Sequence, residues 1–427
     1  MRRFEATAPD FDRQFDAFLA EPRGAETDVD AAVAGVIAAV RADGVEALLR
    51  FTREFDRAVL SAGTLALSGD EIEAGAAQCE PEVREAIAFA ARRIAAYHER
   101  LRPTDGSFTD AEGVELGWRW TPLDAVGIYV PGGRAAYPST VLMNAIPARI
   151  AGVGRIAMVT PPGGIKPAVL AAALEAGVSE IWRVGGAQAV AALAYGAGPI
   201  RPVDKIVGPG NAYVTAAKRR VYGRVGIDSL AGPSEVVVVA DGQNDPDWVA
   251  ADLLAQAEHD PDAQSILITD DAAFADAVER AVTIELGEIA TGADAAASWR
   301  DHGAIVIAPL ERAPDLVDRI APEHVEFAVA EPHALAARVR HAGAIFLGRH
   351  TPEAIGDYVA GSNHVLPTSR AARFSSGLST VDFLKRSSLL GCSPEALAIL
   401  APAALALADA EGLPAHARSM SVRTNRR

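Results

Sequence analysis

Cysteine is scarce in this chain of 427 residues: only Cys79 and Cys392 occur, and there is no Cys-x-x-Cys pair. We therefore expect neither a disulfide framework nor a thiolate zinc site. Acidic residues outnumber basic ones, 56 against 40, and the net charge of −16 argues against nucleic acid or an anionic membrane as a partner. Long apolar runs are also missing, because the most apolar late run, residues 398–408, is too short to span a bilayer and contains Pro402.

The apolar residues that are present suffice for a large core. Half of the chain is hydrophobic, and its length allows two or three domains. The first seven residues, MRRFEAT, include two arginines but no apolar segment, so no signal peptide is expected. These features predict a globular protein of the cytoplasm.

Short strand-like runs that end in glycine turns recur from residue 125 onward. The predicted strands are Ala125–Val130, Arg155–Val159, Glu180–Val184 and Lys205–Val207. Alanine-rich helical segments follow the last three, and this repetition predicts a parallel sheet. In such sheets ligands bind beyond the carboxyl ends of the strands, where glycines let backbone amides approach phosphates. On the pattern alone, it stays open that these glycines only form tight turns.

A second set of strands and helices is predicted from residue 236 onward. Its strands are Val236–Ala240, Ser265–Thr269, Ala304–Ala308 and Ala344–Leu347, and its helices are Ala272–Ile289, Leu310–Ile320 and Pro332–His341. Their alternation predicts a second α/β unit. Earlier in the chain, Asp28–Phe55 and Gly69–Leu101 read as helices and carry no chemical motif.

The end of one further predicted helix holds two candidate metal ligands. This helix is expected to start at Asp245 and Pro246 and to stop near His259, because Pro261 cannot continue it. Gln256 and His259 are three residues apart and therefore project from one helix face. They could bind a metal together, or they could merely cap the helix end, where histidine is common.

Two further places combine acidic and imidazole groups. Glu323 and His324 follow a proline in a predicted loop and suggest acid–base chemistry, although adjacent side chains in a strand point to opposite faces. Asp357 lies in a turn-rich polar stretch and is a possible metal ligand, while Glu411 and His416 stand on a predicted turn after an apolar tail helix. Each of these signals is weak when taken alone.

Six motifs taken together resemble the histidinol dehydrogenase family, and the resemblance covers essentially the whole chain. The motifs are Gly208-Pro-Gly-Asn211-x-Tyr213-Val-x-x-Ala-Lys218, Ala231-Gly-Pro-Ser-Glu235, Leu254-x-Gln256-x-Glu-His259-Asp260, Ala321-Pro-Glu-His324, Gly356-Asp357-Tyr358 with Asn363-His-Val-Leu-Pro-Thr368, and Ala410-Glu411-Gly412-Leu413-x-x-His416. The resemblance implies oxidation of L-histidinol through L-histidinal to L-histidine with two NAD⁺ and one zinc ion per site, in histidine biosynthesis.

The resemblance also implies a role for individual residues. His324 would be the general base and Glu323 the group that activates water, while Tyr129, Gln188 and Asn211 would contact NAD⁺. Zinc would be bound by Gln256, His259, Asp357 and His416, a set of ligands that suits this metal. Substrate contacts would come from Ser234, Gln256, His259, His324, Asp357, Glu411 and His416, with the substrate's own imidazole and amine completing the metal coordination.

The fold implied by the resemblance is α/β, with two incomplete Rossmann-like parallel-sheet domains, one inserted in the other, and small terminal helical segments. The expected bounds are 1–21 for an N-terminal segment, 22–127 and 235–378 for the main domain, 128–234 for the inserted NAD-contacting domain and 379–427 for the tail. The family further implies a homodimer in which the tail of one subunit supplies Glu411 and His416 to the other subunit's site.

Three other functions were considered from the sequence. A related dehydrogenase could act on another small alcohol such as a sulfonated diol, but Glu411 and His416 suit an amine and an imidazole-binding metal better. A zinc hydrolase is disfavoured because no His-Glu-x-x-His occurs and a hydrolase needs no row of glycine turns. A non-catalytic metal-binding or scaffold protein with a relic site is the third alternative.

Overall fold

The computed structural model describes residues 1–23, 29–132, 137–230 and 232–424. Ala231, the first residue of one motif named above, lies outside the described residues. Within the described part of the chain, no helix is long and apolar enough to cross a membrane.

The described strands form three sheets. In chain order they are β1 (Arg2–Glu5), β2 (Gly106–Thr109), β3 (Val114–Pro122), β4 (Ala125–Tyr129), β5 (Arg155–Thr160), β6 (Glu180–Arg183), β7 (Lys205–Val207), β8 (Gly226–Ile227), β9 (Glu235–Ala240), β10 (Gln264–Thr269), β11 (Ala304–Ile307), β12 (His324–Ala328), β13 (Ala344–Leu347) and β14 (Leu384–Cys392).

Most of the remaining described chain is helical. The α-helices are α1 (Phe11–Leu19), α2 (Asp30–Asp43), α3 (Val45–Phe55), α4 (Gly69–Ala77), α5 (Pro81–Arg100), α6 (Pro138–Ala151), α7 (Pro167–Ala176), α8 (Gly186–Tyr195), α9 (Ala212–Val221), α10 (Pro246–Ala257), α11 (Ala272–Glu285), α12 (Gly292–His302), α13 (Ala313–Ile320), α14 (Pro332–Ala336), α15 (Glu353–Tyr358), α16 (Pro394–Ala410) and α17 (Pro414–Ser421).

The larger sheet has six parallel strands in the order β1-β11-β10-β9-β12-β13. Every residue of β9, β10 and β12 is buried, as expected for strands that have helices on both faces. Helices α10, α11 and α12 pack on one face, while α1 and α13 pack on the other. The predicted second α/β unit is confirmed, and it gains β1 at its edge.

The N-terminal segment is anchored to this sheet, which the sequence did not indicate. Strand β1 pairs with β11, and Phe4 packs against three phenylalanines of α1. Those three are Phe11, Phe15 and Phe18, and all of them are buried. The aromatic cluster therefore fixes residues 2–19 in place by burial of apolar surface.

The smaller parallel sheet has five strands in the order β6-β5-β4-β7-β8. All its strands fall between β1 and β9 in the chain, so this unit is inserted within the larger one. Helices α4 to α7 pack on one face of this sheet, while α2, α3, α8 and α9 cover the opposite face. The α/β fold with parallel sheets is thus present as predicted, whereas the exact domain bounds given above stay a prediction.

A third sheet was missed from the sequence. It is antiparallel, in the order β14-β3-β2, and its longest ladder pairs Val114 with Cys392 and Pro122 with Leu384. Most residues of β14 are exposed, so the alternation of buried and polar residues that identifies a strand is weak there.

Several predicted helices are shorter than expected. Gly44 has a φ of 56°, which ends α2 and divides the predicted helix Asp28–Phe55 in two. Pro81 starts α5 at its first turn, so the predicted helix Gly69–Leu101 is divided as well. The helix predicted to end at Ile289 ends at Glu285, and the one predicted to reach His341 ends at Ala336.

Candidate active site

The acid–base pair predicted from the sequence lies at the amino end of the larger sheet. His324 is the first residue of β12, and Glu323 immediately precedes it. Strand β12 lies between β9 and β13, and both residues are buried. The expectation that ligands bind at the carboxyl ends of strands therefore does not describe this pair, because Glu323 precedes β12 and His324 is its first residue.

Three elements each contribute a pair of polar side chains to the cluster around His324. The spacing is two residues on a strand and four on a helix, so each pair shares one face. The pairs are His324 and Glu326 on β12, Asp252 and Gln256 on α10, and Glu353 and Asp357 on α15.

Short distances connect the members of this cluster. His324 Nε2 lies 3.9 Å from Asp357 Oδ1, and His324 Nδ1 lies 3.7 Å from Glu353 Oε2. The groups around Gln256 fix the orientation of its amide: its NH₂ donates to Glu353 Oε1 at 2.6 Å, and its oxygen accepts from the Glu235 N–H at 2.8 Å. Gln256, His324 and Asp357, predicted separately, are therefore brought together.

The peptide groups of Glu235 hold both members of the acid–base pair. The Glu235 N–H is shared between the Gln256 oxygen and Glu323 Oε2, which lies 3.1 Å away, and the Glu235 carbonyl lies 3.1 Å from His324 Nδ1. A carbonyl can only accept, so Nδ1 must carry the proton in this hydrogen bond. The other ring nitrogen, Nε2, then has a lone pair, and it has no hydrogen-bond partner among the described residues. This geometry prepares Nε2 of His324 to accept a proton.

Burial controls the protonation of the cluster. Burial, with smaller contributions from the nearby His259 and His364 rings, lowers the pKa of His324 to about 3 against the opposing effect of the hydrogen bond to Glu235. The imidazole is therefore neutral near pH 7. Burial raises the pKa of Glu323 well above its ordinary value and that of Asp357 to about 6.

The candidate metal ligands fit a divalent cation by their chemistry. Asp357 supplies a carboxylate and His259 an imidazole, while Gln256 would supply its amide oxygen after the amide turns over, because its NH₂ faces His259 Nδ1 at 3.3 Å in this structure. In the described residues, no Lys or Arg lies within ion-pair distance of Asp357 or Glu353, so a cation would relieve a buried negative charge. Taken over those same residues, no group of three or more His, Cys, Asp or Glu is arranged to hold a metal ion.

The tail residues are not brought to this cluster within one chain. Glu411 follows the last residue of α16 and His416 lies in α17, and both are exposed. No hydrogen bond or ion pair joins either side chain to another candidate residue in the parts of the chain that are described. His416 was expected on a turn, but Pro414 starts a short helix there, as proline favours at a first helical turn.

The predicted NAD-contacting residues lie at the carboxyl end of the smaller sheet, as expected. Tyr129 ends β4, Gln188 lies in the first turn of α8 after β6, and Asn211 precedes α9 after β7. Both polar atoms of the Gln188 amide are buried and have no partner among the described residues. A buried amide of this kind calls for a ligand, and a dinucleotide amide or ribose hydroxyl fits it.

Tyr129 and Asn211 also keep polar groups available. The Tyr129 hydroxyl accepts the Gly186 N–H at 3.0 Å, and burial raises the pKa of Tyr129 to about 12, so its O–H remains a donor. The side-chain oxygen Oδ1 of Asn211 caps α9 by accepting the N–H groups of Tyr213 and Val214, which leaves the side-chain NH₂ of Asn211 for a ligand.

A buried ion pair fixes the glycine loop between β7 and α9. Lys218 pairs with Asp228, and both side chains are buried. Lys218 Nζ also donates to the Gly208 carbonyl at 3.0 Å, while Asp228 accepts the Gly208 N–H at 2.8 Å. Gly208 has a φ of 107°, and a Cβ there would lie 2.2 Å from the Tyr129 carbonyl oxygen. Only glycine fits this position.

Five residues in or beside the cluster received no role from the sequence: Asp252, Glu235, Glu326, Glu353 and His364. Glu353 stands four residues before Asp357, so the helical spacing could have indicated it. Glu235 and His364 were part of quoted motifs, and His364 Nδ1 donates to the Asp357 carbonyl at 3.0 Å. Ser234, a predicted substrate contact, lies directly before β9 and is half-buried, with its carbonyl accepting the Gln264 N–H.

Comparison with known proteins gives a consistent result. The sequence family described as histidinol dehydrogenase matches residues 19–424. The chain is 73% identical over 423 residues to histidinol dehydrogenase of Caulobacter vibrioides and 62% identical over 428 residues to that of Rhodospirillum rubrum, with 99% of both chains covered in each case. The crystal structure of histidinol dehydrogenase from Elizabethkingia anophelis superimposes with a TM-score of 0.95 at 35% identity, covering 100% of this chain and 98% of that chain.

Replacing Lys218 by Met should lower the free energy of unfolding by about 3–5 kcal/mol, because Asp228 would stay buried without its counter-ion. Arg220→Met on the same helix is the matched control, since it removes the more exposed pair with Asp30 and should cost far less stability than Lys218→Met. Chemical denaturation measures both values. Equal losses in the two variants would contradict the importance assigned to the buried pair.

Proposed function

The chain belongs to the histidinol dehydrogenase family, and we propose that the cluster around His324 performs both oxidations that convert L-histidinol into L-histidine. The protein is an oxidoreductase of histidine biosynthesis, and the family implies NAD-dependent oxidation. The observation that carries the assignment of the site is the hydrogen bond between His324 Nδ1 and the Glu235 carbonyl. That bond leaves Nε2 as the proton acceptor in a buried, neutral imidazole.

In the first oxidation, His324 Nε2 accepts the proton of the substrate hydroxyl. As the O–H bond breaks, a hydride leaves the same carbon for NAD⁺, and the products are the aldehyde, NADH and a protonated imidazole. Burial favours the neutral ring, so the imidazolium gives this proton to solvent water before the next step. The tautomer is fixed before substrate arrives, so no reorganisation of the ring is needed.

In the second oxidation, Glu323 accepts a proton from water as the water oxygen attacks the aldehyde carbon. The hydrate then loses a proton to His324 and a hydride to a second NAD⁺, which gives the carboxylate. The Glu235 N–H stabilises the carboxylate form of Glu323, against the burial that raises the pKa of this group. Two groups held by the backbone N–H and C=O of one residue, Glu235, thus serve the two halves of the reaction.

We assign the metal site to Gln256, His259 and Asp357, with His416 as the fourth ligand and zinc as the metal. A zinc ion there would orient the imidazole and amine of the substrate as a template. Support comes from the donor types, from the buried carboxyl of Asp357 and from the lack of a nearby Lys or Arg in the described residues.

We further propose that the protein is a homodimer with shared sites. One chain brings Gln256, His324 and Asp357 together but leaves His416 exposed elsewhere. Helix α16 before it carries exposed apolar side chains, with Ile399 60% and Leu407 65% exposed. A second copy would cover these side chains. Glu411 would then enter the site of that second copy and bind the substrate ammonium, and Ser234 would be a further substrate contact there.

The similarity over nearly the whole chain favours this activity over the other functions considered. A zinc hydrolase, a scaffold with a relic site and a dehydrogenase of another alcohol would each have to retain every candidate residue without using all of them. Cytoplasmic location stays a prediction.

Replacing Glu323 by Gln should spare the oxidation of histidinol to the aldehyde more than the oxidation of the aldehyde, while His324→Asn should depress the first step strongly. General acid–base groups contribute about 10²–10⁴-fold, so both effects are measurable as NADH formation from L-histidinol and from L-histidinal. Exposed Glu331→Gln is the control and should change neither rate. Equal losses in both steps for Glu323→Gln would remove its assigned role.

Replacing His259 by Asn should remove bound zinc, because three ligands of one chain then become two. Elemental analysis of the purified protein gives the metal content per subunit, independently of activity. Four histidines outside the cluster, His302, His333, His341 and His350, are not expected to bind metal. His333→Asn, on exposed α14, is therefore the control, and metal loss there but not at His259 would show the ligand assignment to be misplaced.

Mixing two inactive variants should restore activity if sites are shared. One variant carries His324→Asn and the other His416→Asn. After dissociation and re-association, about half of the dimers are mixed, and each of these has one intact site of two, so activity should recover to about a quarter of wild type. A mixture that stays inactive after proven subunit exchange would contradict the shared-site arrangement.

A further inference from the structure

The side chain of Glu235 lies directly behind the acid–base pair and is bound to an arginine from the N-terminal segment. Glu235 is 2% exposed, and its carboxylate forms an ion pair with Arg23, whose side chain is 12% exposed. The two residues are more than two hundred positions apart in the chain. The peptide groups of this same Glu235 hold Glu323 and His324.

A carboxylate at this position needs a cationic partner. Burial raises the pKa of Glu235, and the charge and hydrogen bond of Arg23 oppose that effect, together with the backbone N–H of Arg370. Removing one member of a buried ion pair leaves an uncompensated charge, which the structure relieves by moving or by taking up a proton. Movement of Glu235 would carry its peptide groups with it.

The N-terminal segment does not require Arg23 for its attachment. Strand β1 pairs with β11, the phenylalanines of α1 are buried, and Arg3 binds Asp276 at 2.6 Å. Arg2 binds Glu21 with two hydrogen bonds at the surface. A role limited to anchoring the segment therefore leaves the burial of Arg23 unexplained.

We propose that Arg23 and Glu235 form a positioning pair that holds the Glu235 peptide in the place where it orients Glu323 and His324. This inference rests on the proposed function, since it assigns a purpose to the geometry of that same site. Neither residue touches substrate or cofactor in this role. Loss of the pair should displace both catalytic side chains, and a displacement of about 1 Å can reduce the rate roughly 100-fold.

The test uses Arg23→Met, Arg23→Lys and the double variant Arg23→Met/Glu235→Gln in the full chain. We expect Arg23→Met to lower kcat roughly 10- to 100-fold with both L-histidinol and L-histidinal, while KM for each substrate changes less than about threefold. Arg23→Lys keeps the charge and should recover most of the loss. Arg2→Met is the matched control, because it removes an exposed arginine–glutamate pair of the same segment, and it should keep wild-type kcat.

The double variant separates positioning from stability. It removes both charges, so its melting temperature should stay near that of wild type even if Arg23→Met folds poorly. The double variant also lacks the bond from Arg23 that holds the side chain of residue 235 in place, so positioning predicts that it is folded and still at least about 10-fold slow. A folded double variant with kcat within about twofold of wild type would overturn the proposal, as would a failure of Arg23→Lys to exceed Arg23→Met.

A measurement that does not depend on catalytic activity distinguishes this inference from the proposed function. Nitrogen NMR of protein labelled at the histidine rings reports the tautomer of His324, assigned by the signal lost in His324→Asn. Wild type and Arg23→Lys should show the Nδ1-protonated form, and Arg23→Met should show a shifted or mixed signal. An inactive wild type would remove the proposed function alone, whereas an unchanged His324 signal in Arg23→Met would remove the positioning pair.

Discussion

The hydrogen bonds made by the backbone N–H and C=O of Glu235 are the constraint on which the site depends. The ladder between β9 and β12 begins at Val236 and His324, so Glu235 lies one residue before its first rung. Its N–H and C=O are buried there and need partners, and Glu323 and His324 supply them. The same hydrogen bonds fix the tautomer of the base and stabilise the carboxylate. The hydrogen bonds that satisfy the backbone of Glu235 at the amino end of β9 are therefore the same ones that would prepare the site for the proposed reaction.

The proposed active site is divided between opposite strand ends of two parallel sheets. The proposed base and water-activating acid lie at the amino end of the larger sheet, whereas the candidate NAD contacts lie at the carboxyl end of the smaller one. The chain passes from β8 of the smaller sheet to β9 of the larger one within a few residues, and Ser234 ends that connection. Because one unit is inserted in the other, the chain of the smaller sheet, which carries the candidate NAD contacts, leads directly into the strand that begins with Glu235.

Much of this site could be predicted from the sequence because its signals are local. The spacing of Gln256 and His259, the Glu323-His324 pair and the glycine turns each depend on neighbours in the chain, and the family resemblance then combined them. Contacts between distant segments had no such signal. No pattern relates Arg23 to Glu235, and the ladder of β3 with β14 joins mostly exposed strands far apart in sequence. Helix ends were misjudged where single residues such as Gly44 and Pro81 interrupt an otherwise helical pattern.

The central claim is that one buried cluster performs both oxidations without releasing the aldehyde between them. The most direct measurement is the amount of NADH formed from a limiting amount of L-histidinol with excess NAD⁺ and zinc, with an aldehyde-trapping reagent present. The geometry at Glu235, which holds a base and a water-activating acid together, predicts two NADH per histidinol and little trapped aldehyde. One NADH per histidinol with stoichiometric trapped aldehyde would contradict it.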